Sequence, residues 1–233
     1  MITLGRGRKM QTAHVVDLTQ PLDGAIPHYP GIPGLEMTTV LSRDQSREIY
    51  DGDTEFLIQR YKITGNYGTY LDAPFHRYPD GSDLSRIPLP STVGVPGIRI
   101  DARDATTSGR RTIDDSYLNE TDIRGKAVLF WTGWDERWPS DNYMEPGPFV
   151  SQELAQRLVE EGASLVGIDT WNVDDIQDRC RPAHSLLLRN GIPIVENLCG
   201  LSELNGEEFQ FHAAPLPIRN GTAIPVRAYA IYS

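Results

Sequence analysis

The chain is poor in the residues that define several classes of protein. Its 2 cysteines, Cys180 and Cys199, are too few and have the wrong spacing for a disulfide framework or a zinc ribbon. No apolar run approaches the length of a transmembrane helix. Lysine and arginine number 22 against 32 acidic residues, and no basic cluster marks a nucleic-acid surface. We therefore expect a cytoplasmic protein that binds neither nucleic acid nor membrane.

Length and composition are typical of one ordinary globular domain. The chain has 233 residues, of which 39% are hydrophobic, enough for a substantial core. Its 17 prolines and 21 glycines are scattered, so no linker or repeat divides it. The basic start lacks the apolar core of a signal peptide. We expect residues 1–12 to be a flexible N-terminal extension and residues 13–233 to be a single domain.

Strands and helices are both indicated by local patterns. Runs rich in β-branched and aromatic residues predict strands. The clearest helix covers 151–161, where Ser151 can cap the first turn and Gly162 provides the stop. A shorter helix is predicted over 183–191. The predicted strands are 14–18, 97–102, 127–132, 164–169, 192–197, 208–214 and 225–232.

The order of these elements favours a mixed α/β layered domain. Strand 127–132, helix 151–161 and strand 164–169 form a β-α-β unit, and a further helix and strand over 183–197 extend it. Strands elsewhere are arranged like hairpins. The strand order of the sheet does not follow from the sequence.

Two of the five histidines have acidic companions. Asp72 and His76 are four residues apart, and Pro74 suits the first turn of a helix, so the carboxylate and the imidazole would face the same side. His184 begins a predicted helix and Glu196 ends the next strand, so the fold can bring them together. Structural roles are the better interpretation of the remaining histidines, which are His14, His28 and His212.

Two carboxylates and one histidine can bind Zn²⁺ or Mn²⁺ and leave positions open for water and substrate. By itself this signal is weak, because such residues occur together in every soluble protein. Several aromatic residues are candidates for an aromatic pocket, although each one alone fits an ordinary core as well. Arg77 and Arg179 are candidates for neutralising an anionic substrate. The aromatic candidates are Tyr78, Trp131, Trp134, Trp138 and Trp171.

Collinear motifs from end to end resemble the cyclase family that includes bacterial kynurenine formamidase, isatin hydrolase and polyketide cyclases. The resemblance implies a swivelling β/β/α fold, a small-molecule substrate and a homodimer or larger homo-oligomer. It also implies that the segment with Trp134 borders the substrate, and we extend this expectation to Tyr78 and Trp171. The matching stretches are "DLTQPLDGAIPHYPG", "GNYGTYLDAPFH", "AVLFWTGWD", "LVGIDTWNVDD", "HSLLLRNGIPIVENLCGL" and "FHAAPLPIRNGTAIPVRAYAI".

The family's signature, His-x-Gly-Thr-His-x-Asp-x-Pro-x-His, is only partly kept. Asp72 and His76 match it, but Asn66 and Tyr70 stand where the family has the two histidines of its first metal site. Asparagine offers a poor ligand for zinc, and a tyrosine phenol with a pKa near 10 must lose its proton to bind metal well. The first metal site is therefore expected to be lost or weakened.

The second metal site of the family is complete, because Asp72, His184 and Glu196 match its ligands. The resemblance thus implies one divalent ion, Zn or Mn. A metal-free site is the alternative, since losing ligands at a shared centre also weakens its neighbour.

Three functions remain open. The first is a metal-dependent hydrolase of an amide or lactone bond, in which His76 is the base or proton shuttle, and Asn66 and Tyr70 orient the substrate carbonyl. The second is a metal-independent cyclase or dehydratase of a polyketide or other natural-product intermediate, using His76, Asp72 and Tyr70. The third is a non-catalytic binding protein on a decayed enzyme fold, which the retention of four site residues argues against.

Overall fold

A computed structural model describes residues 14–24, 26–29, 31–205 and 208–232. The expected N-terminal extension, residues 1–12, lies outside these ranges. The strands are β1 His14–Asp17, β2 Glu36–Leu41, β3 Ile58–Lys62, β4 Tyr70–Asp72, β5 Val95–Asp101, β6 Thr112–Ile113, β7 Ala127–Trp131, β8 Phe149–Val150, β9 Leu165–Ile168, β10 Ile194–Glu196, β11 Phe209–His212, β12 Ala223–Pro225 and β13 Tyr229–Tyr232.

Nine of these strands form one mixed sheet in the order β1-β13-β11-β5-β7-β9-β10-β4-β12. The central strands β5, β7, β9 and β10 run parallel, and the strands on either side of them pair antiparallel. Only residues 226–228 separate β12 from β13, although these strands lie near opposite ends of the order. Because so short a segment spans at most about 14 Å, the sheet must curl until its two ends approach each other.

The described residues form four α-helices and several 3₁₀ turns in addition to the strands. The sequence predicted α3 and α4 within one or two residues at each end. No helix in the described part of the chain is both long and apolar enough to cross a membrane. The helices are α1 Arg43–Arg47, α2 Arg103–Thr107, α3 Gln152–Glu160 and α4 Pro182–Arg189, and the 3₁₀ turns are Pro74–His76, Leu89–Ser91, Asp115–Leu118, Trp134–Arg137, Asp141–Met144 and Leu201–Glu203.

A capping hydrogen bond and one buried apolar face explain why helix α3 forms at these residues. The Ser151 hydroxyl accepts a hydrogen bond from the Leu154 N–H at 3.1 Å and so caps the first turn. Leu154, Ala155 and Leu158 are buried on one face. The parallel pairing of β7 with β9 confirms the predicted β-α-β unit.

The central strands are apolar on both faces, as expected of parallel strands covered on both sides. Along β7, Leu129 and Trp131 belong to one hydrophobic core, whereas Val128 and Phe130 belong to a second core that also includes the buried faces of α3 and α4. The candidate site lies beside this second core, which fixes the position of α4 against the sheet.

The hairpin of β2 and β3 is the largest feature that the sequence patterns missed. All five residues of β3 and five of the six residues of β2 are exposed, so no alternation of buried and exposed positions marks these strands. The short buried strand β4 was also missed. The predicted strand 225–232 is divided, since residues 226–228 leave the edge strand β12 before β13 begins.

Candidate active site

Three of the predicted site residues lie on the adjacent strands β4 and β10. These strands are antiparallel, with Glu196 opposite Tyr70 and Ile194 opposite Asp72. Since residues two apart on a strand share a face, Tyr70 and Asp72 point to the same side. All three polar side chains are buried, with at most 3% of their surface exposed. The pairing of β4 with β10 thus places two carboxylates and one phenol at a single buried spot.

Helix α4 brings His184 against this spot with a fixed ring orientation. Its Nδ1 lies 2.6 Å from Oδ2 of Asp174, and Asp174 also accepts the backbone N–H groups of Ala183 and His184 at the start of the helix. A carboxylate can only accept hydrogen bonds, so Nδ1 carries the proton. The other nitrogen, Nε2, lies 3.6 Å from Oδ2 of Asp72 and 3.6 Å from Oε1 of Glu196.

His76 stands at the open side of the site. It ends the 3₁₀ turn Pro74–His76, which Pro74 begins as the sequence predicted. Its Nδ1 lies 3.9 Å from Oδ1 of Asp72, and its ring centroid lies 6.2 Å from that of His184. About 35% of its side chain is exposed. His76 is therefore the most exposed of the predicted catalytic and metal-binding residues.

Asn66 and Tyr70 each donate a hydrogen bond to one of the two carboxylates. The Asn66 amide donates to Oδ1 of Asp72 at 3.0 Å, and the Tyr70 hydroxyl donates to Oε2 of Glu196. The Val173 N–H donates to the other oxygen of Glu196 at 2.6 Å. The Tyr70 proton is thus directed to Glu196, and the Asn66 amide hydrogen-bonds to the Tyr70 oxygen as well as to Asp72.

Burial and charge shift the pKa values of the enclosed groups. Burial raises the pKa of Glu196 to about 7, and the charge of Asp72 adds to this effect. Burial lowers the pKa of His184, but the hydrogen bond to Asp174 and the nearby carboxylates of Asp72 and Glu196 outweigh it and raise the pKa to about 10. Burial, helped by the charge and hydrogen bond of Glu196, raises the pKa of Tyr70 well above its ordinary value. Tyr70 therefore stays protonated near neutral pH.

The donor set fits one divalent metal ion. Oδ2 of Asp72 is buried and has no hydrogen-bond partner among the described residues. Nε2 of His184 faces it, and Asp174 fixes the tautomer in the manner of a carboxylate that orients a metal-binding histidine. With His184 neutral, the two buried carboxylates lack a compensating positive charge, which a divalent cation supplies.

Two sets of three residues could provide the ligands. One is the predicted set of Asp72, His184 and Glu196, joined through Nε2 of His184. The other replaces Glu196 with His76, and its ligand atoms all lie within 4.8 Å of one another. The sequence did not predict His76 as a ligand, because the resemblance implied a role in proton transfer.

The site opens into a pocket of about 250 Å³. Four of its lining residues were predicted from the sequence, namely Asn66, Tyr70, His76 and His184. The sequence also singled out Arg77. It did not indicate the other lining residues, because they lie in loops, where no periodic pattern marks them. These are Tyr29, Ile32, Asn172 and Arg181.

The three aromatic residues predicted to bind substrate occupy different places. Trp134 is buried beside the site, where its Nε1 donates to the Tyr143 carbonyl oxygen at 2.9 Å, and it does not line the pocket. Tyr78 donates to the Ser185 carbonyl oxygen at 2.9 Å and also lies outside the pocket lining. Trp171 borders a small adjoining recess together with Tyr29.

The fold and the site together indicate the family of proteins to which the chain belongs. A sequence profile of the family described as putative cyclase matches residues 16–175, which is more than half of the 233 residues. The chain therefore belongs to the cyclase family, as its motifs indicated. Within that family it is a hydrolase of the kynurenine formamidase-like group.

The individual relatives support this assignment. The chain is 30% identical to the kynurenine formamidase of Geobacillus thermodenitrificans over 215 residues, 91% of this chain and 95% of that protein. Isatin hydrolase A from Labrenzia aggregata, bound to benzyl benzoate, superposes with a TM-score of 0.79 at 24% identity, covering 94% of this chain and 93% of that one. A protein described as a predicted metal-dependent hydrolase, from Bacillus stearothermophilus, superposes with a TM-score of 0.74 at 26% identity over 94% and 98%. The expected fold class is confirmed.

Proposed function

We propose that this chain is a metal-dependent hydrolase that opens an amide or lactone bond of a small aromatic or cyclic substrate. The names of its relatives support hydrolysis of such bonds. The observation that carries the proposal is the orientation of His184. Asp174 holds the proton on Nδ1, so when metal replaces the second ring proton, Nε2 faces Asp72 and Glu196 with its lone pair. This is the arrangement in which an imidazole binds a metal.

Asp72, His184 and Glu196 would hold one divalent ion, Zn or Mn. Such an ion supplies Lewis acidity that activates water and polarises a carbonyl group at neutral pH. Asn66 and Tyr70 donate to the far oxygens of the two carboxylates and hold them in place. Because these donors occupy one oxygen of each carboxylate, the site is suited to one ion rather than two.

His76 would move the proton during hydrolysis. Its ring lies at the pocket wall, reaches solvent and stands 3.9 Å from Asp72, which can orient it. The Asn66 amide lines the pocket and would orient the substrate carbonyl or the oxyanion that develops from it. Tyr70 supports the site through Glu196 and does not itself donate to the substrate.

The decisive experiment compares Glu196→Gln with His76→Gln. We expect Glu196→Gln to lose most bound metal, as measured by elemental analysis after purification without chelators. We expect His76→Gln to keep the metal and to lose activity by about a hundredfold to ten-thousandfold. His14→Gln is the control, because His14 lies on β1 and stacks on Tyr232.

The opposite result would identify the alternative ligand set. If His76→Gln lost the metal and Glu196→Gln kept it, the ligands would be Asp72, His76 and His184. If the native protein, stripped of metal, hydrolysed its substrate at the full rate, the metal-dependent mechanism would be wrong.

The charge balance of the site favours one second candidate, a metal-independent cyclase or dehydratase of a polyketide-like or other natural-product intermediate. With its pKa raised to about 10, His184 is an imidazolium at neutral pH and can itself neutralise Asp72 and Glu196. His76 would then be the base, with Asp72 orienting it, and Tyr70 the acid. This candidate requires a metal-free, active protein in which Tyr70→Phe lowers the rate severely.

We also propose that the chain forms a homodimer or a larger homo-oligomer. The support is the hairpin of β2 and β3, since a two-stranded hairpin with no covering layer is at best marginally stable in water. Large apolar side chains are exposed along it, including Met37, Val40 and Tyr61, at 54%, 62% and 60%. A second copy would cover them.

A further inference from the structure

Arg181 has an unusual backbone conformation next to the site. Its φ and ψ are 50° and 60°, in the left-handed region that residues other than glycine seldom adopt. Such strain persists where the surroundings enforce it, and it occurs often at ligand sites. Arg181 immediately precedes Pro182, the first residue of α4, and His184 follows three residues later. The arginine is therefore held at the same end of α4 as the candidate metal-binding histidine.

The guanidinium of Arg181 touches only neutral acceptors. Nη1 donates to Oδ1 of Asn172 and to the carbonyl oxygen of Asp175, both at 3.2 Å, and Nη2 donates to the Tyr29 hydroxyl at 3.1 Å. These bonds use three of its five N–H protons, which leaves Nε–H and one proton on Nη2. In the described part of the chain, no carboxylate lies within 4.0 Å of it.

The carboxylates nearest in sequence are already engaged. Asp174 accepts from His184 Nδ1 and from two backbone N–H groups of α4. The side chain of Asp175 pairs with Arg111 at 2.8 Å, so only its carbonyl oxygen serves Arg181. The local sequence thus contains two acidic residues, and neither neutralises this cation.

Tyr29 adds a further donor. Its hydroxyl accepts from Arg181, and no acceptor for its own proton lies among the residues that the structure describes. Both residues line the pocket that contains His76 and His184. A planar N–H edge and a neighbouring O–H group together are suited to a two-oxygen anion, and arginine binds such anions with two parallel hydrogen bonds.

We infer that Arg181 and Tyr29 bind a carboxylate group of the substrate, away from the bond that is cleaved. The inference rests on the proposed function, because it takes the bound anion to be part of the hydrolysed molecule. A pocket of about 250 Å³ lies below the usual range for drug-sized ligands, so the substrate is a single small ring or chain with one acidic substituent. Arg77, exposed at the pocket wall, adds positive charge that attracts this anion.

Binding of simple probes tests the inference without turnover. We expect benzoate to bind the native protein at least tenfold more tightly than benzamide in isothermal titration calorimetry. Arg181→Gln should weaken benzoate binding by about tenfold to a hundredfold, since hydrogen bonds to charged groups are the strong ones. Arg181→Lys should restore only part of this loss, because lysine lacks the planar edge. Tyr29→Phe, which leaves the backbone of residue 181 untouched, should weaken benzoate binding about threefold to tenfold.

Arg179→Gln is the matched control, because Arg179 is exposed two residues earlier and does not line the pocket. It should bind benzoate as the native protein does. Equal binding of benzoate and benzamide to the native protein would overturn the inference. Native benzoate affinity in both Arg181→Gln and Tyr29→Phe would also overturn it. Tighter binding of inorganic phosphate than of benzoate would do the same.

Hydrolysis of a matched pair of substrates separates this inference from the proposed function. Formanilide and 3-formamidobenzoate have the same amide, but only the second has a carboxylate. We expect kcat/KM to favour 3-formamidobenzoate, and Arg181→Gln to bring the ratio close to one. Hydrolysis of both at equal kcat/KM would keep the hydrolase and overturn the carboxylate site. Binding of benzoate through Arg181 without hydrolysis of either anilide would keep the anion site and overturn the proposed amide hydrolysis.

Discussion

At the scale of single residues, the tautomer of His184 is set by a carboxylate outside the pocket lining. Asp174 accepts from Nδ1 at 2.6 Å and leaves Nε2 to face Asp72 and Glu196. In Asp174→Asn, the amide can donate to Nδ1 and so move the ring proton to Nε2, where it blocks metal binding. We expect metal affinity to fall by about tenfold to a hundredfold. Competition with a calibrated chelator measures this change.

Asp178→Asn is the control for this prediction, since Asp178 is an exposed residue of the same loop whose carboxylate accepts from the Cys180 N–H. Its metal affinity should remain native. Equal metal affinity in Asp174→Asn and the native protein would contradict the role of Asp174.

The buried carboxylate of Asp169 makes the free energy of unfolding depend on pH. Asp169 accepts hydrogen bonds from Thr132 and Gly133, and burial together with the charge of Asp135 raises its pKa to about 8. The unfolded value is about 4, so the folded state binds one proton more between these limits. Below about pH 4, Asp169 therefore makes its full contribution to the free energy of unfolding. This contribution is lost as the pH rises through about 8, by up to about 1.4 kcal/mol per pH unit.

The Asp135→Asn variant isolates this effect. Removing the charge of Asp135 lowers the pKa of Asp169, so we expect the free energy of unfolding to fall less steeply between pH 5 and 8. Urea unfolding across this range measures the slope, with the exposed residue Asp141 changed to asparagine as the control. Parallel curves for Asp135→Asn and the native protein would rule out the proposed interaction.

At the scale of elements, the turn that carries His76 depends on close backbone packing. A Cβ on Gly81 would lie 2.7 Å from the carbonyl carbon of Pro74 and 2.9 Å from the backbone nitrogen of Phe75. Neither backbone atom can move away without displacing the turn. We expect Gly81→Ala to cost about 1–3 kcal/mol of stability and to lower kcat by moving His76. Chemical unfolding and steady-state kinetics measure the two effects.

Gly24→Ala provides the comparison, because its nearest contact, the Leu35 carbonyl oxygen, lies at an ordinary 3.4 Å. Its kcat should be native. A fully stable and active Gly81→Ala protein would show that the turn can shift without consequence.

The helices and strands also show which features local sequence patterns can predict and which they cannot. Helix α3 was predicted because its cap, apolar face and stop are all local signals, and β7 and β9 because their runs are continuously apolar. The contact between Glu196 and Tyr70 could not be predicted from local patterns, since it depends on pairing between strands 126 residues apart. Arg181 was missed for a related reason, because neither its left-handed backbone nor its lack of a carboxylate partner is a sequence pattern.

At the scale of the whole molecule, the hairpin of β2 and β3 predicts the assembly. We expect the native protein to have at least twice the 26.0 kDa mass of one chain in size-exclusion chromatography with light scattering. Replacing Ile58 and Tyr61 with serine removes apolar surface from β3 and should shift the protein toward the monomer. The same change at Leu89 and Leu216, which are exposed outside the hairpin, is the control. A native monomer would contradict the proposed assembly.

Asp174 and Asp175 are joined by a single peptide bond, yet our two proposals assign them to two different ligands. Asp174 accepts from His184, the proposed metal ligand, and the carbonyl oxygen of Asp175 accepts from Arg181, the proposed carboxylate-binding residue. We expect a ligand that orders one residue of this pair to order the other as well. Thermodynamic linkage then requires reciprocity: the factor by which bound metal tightens the carboxylate must equal the factor by which the carboxylate tightens the metal.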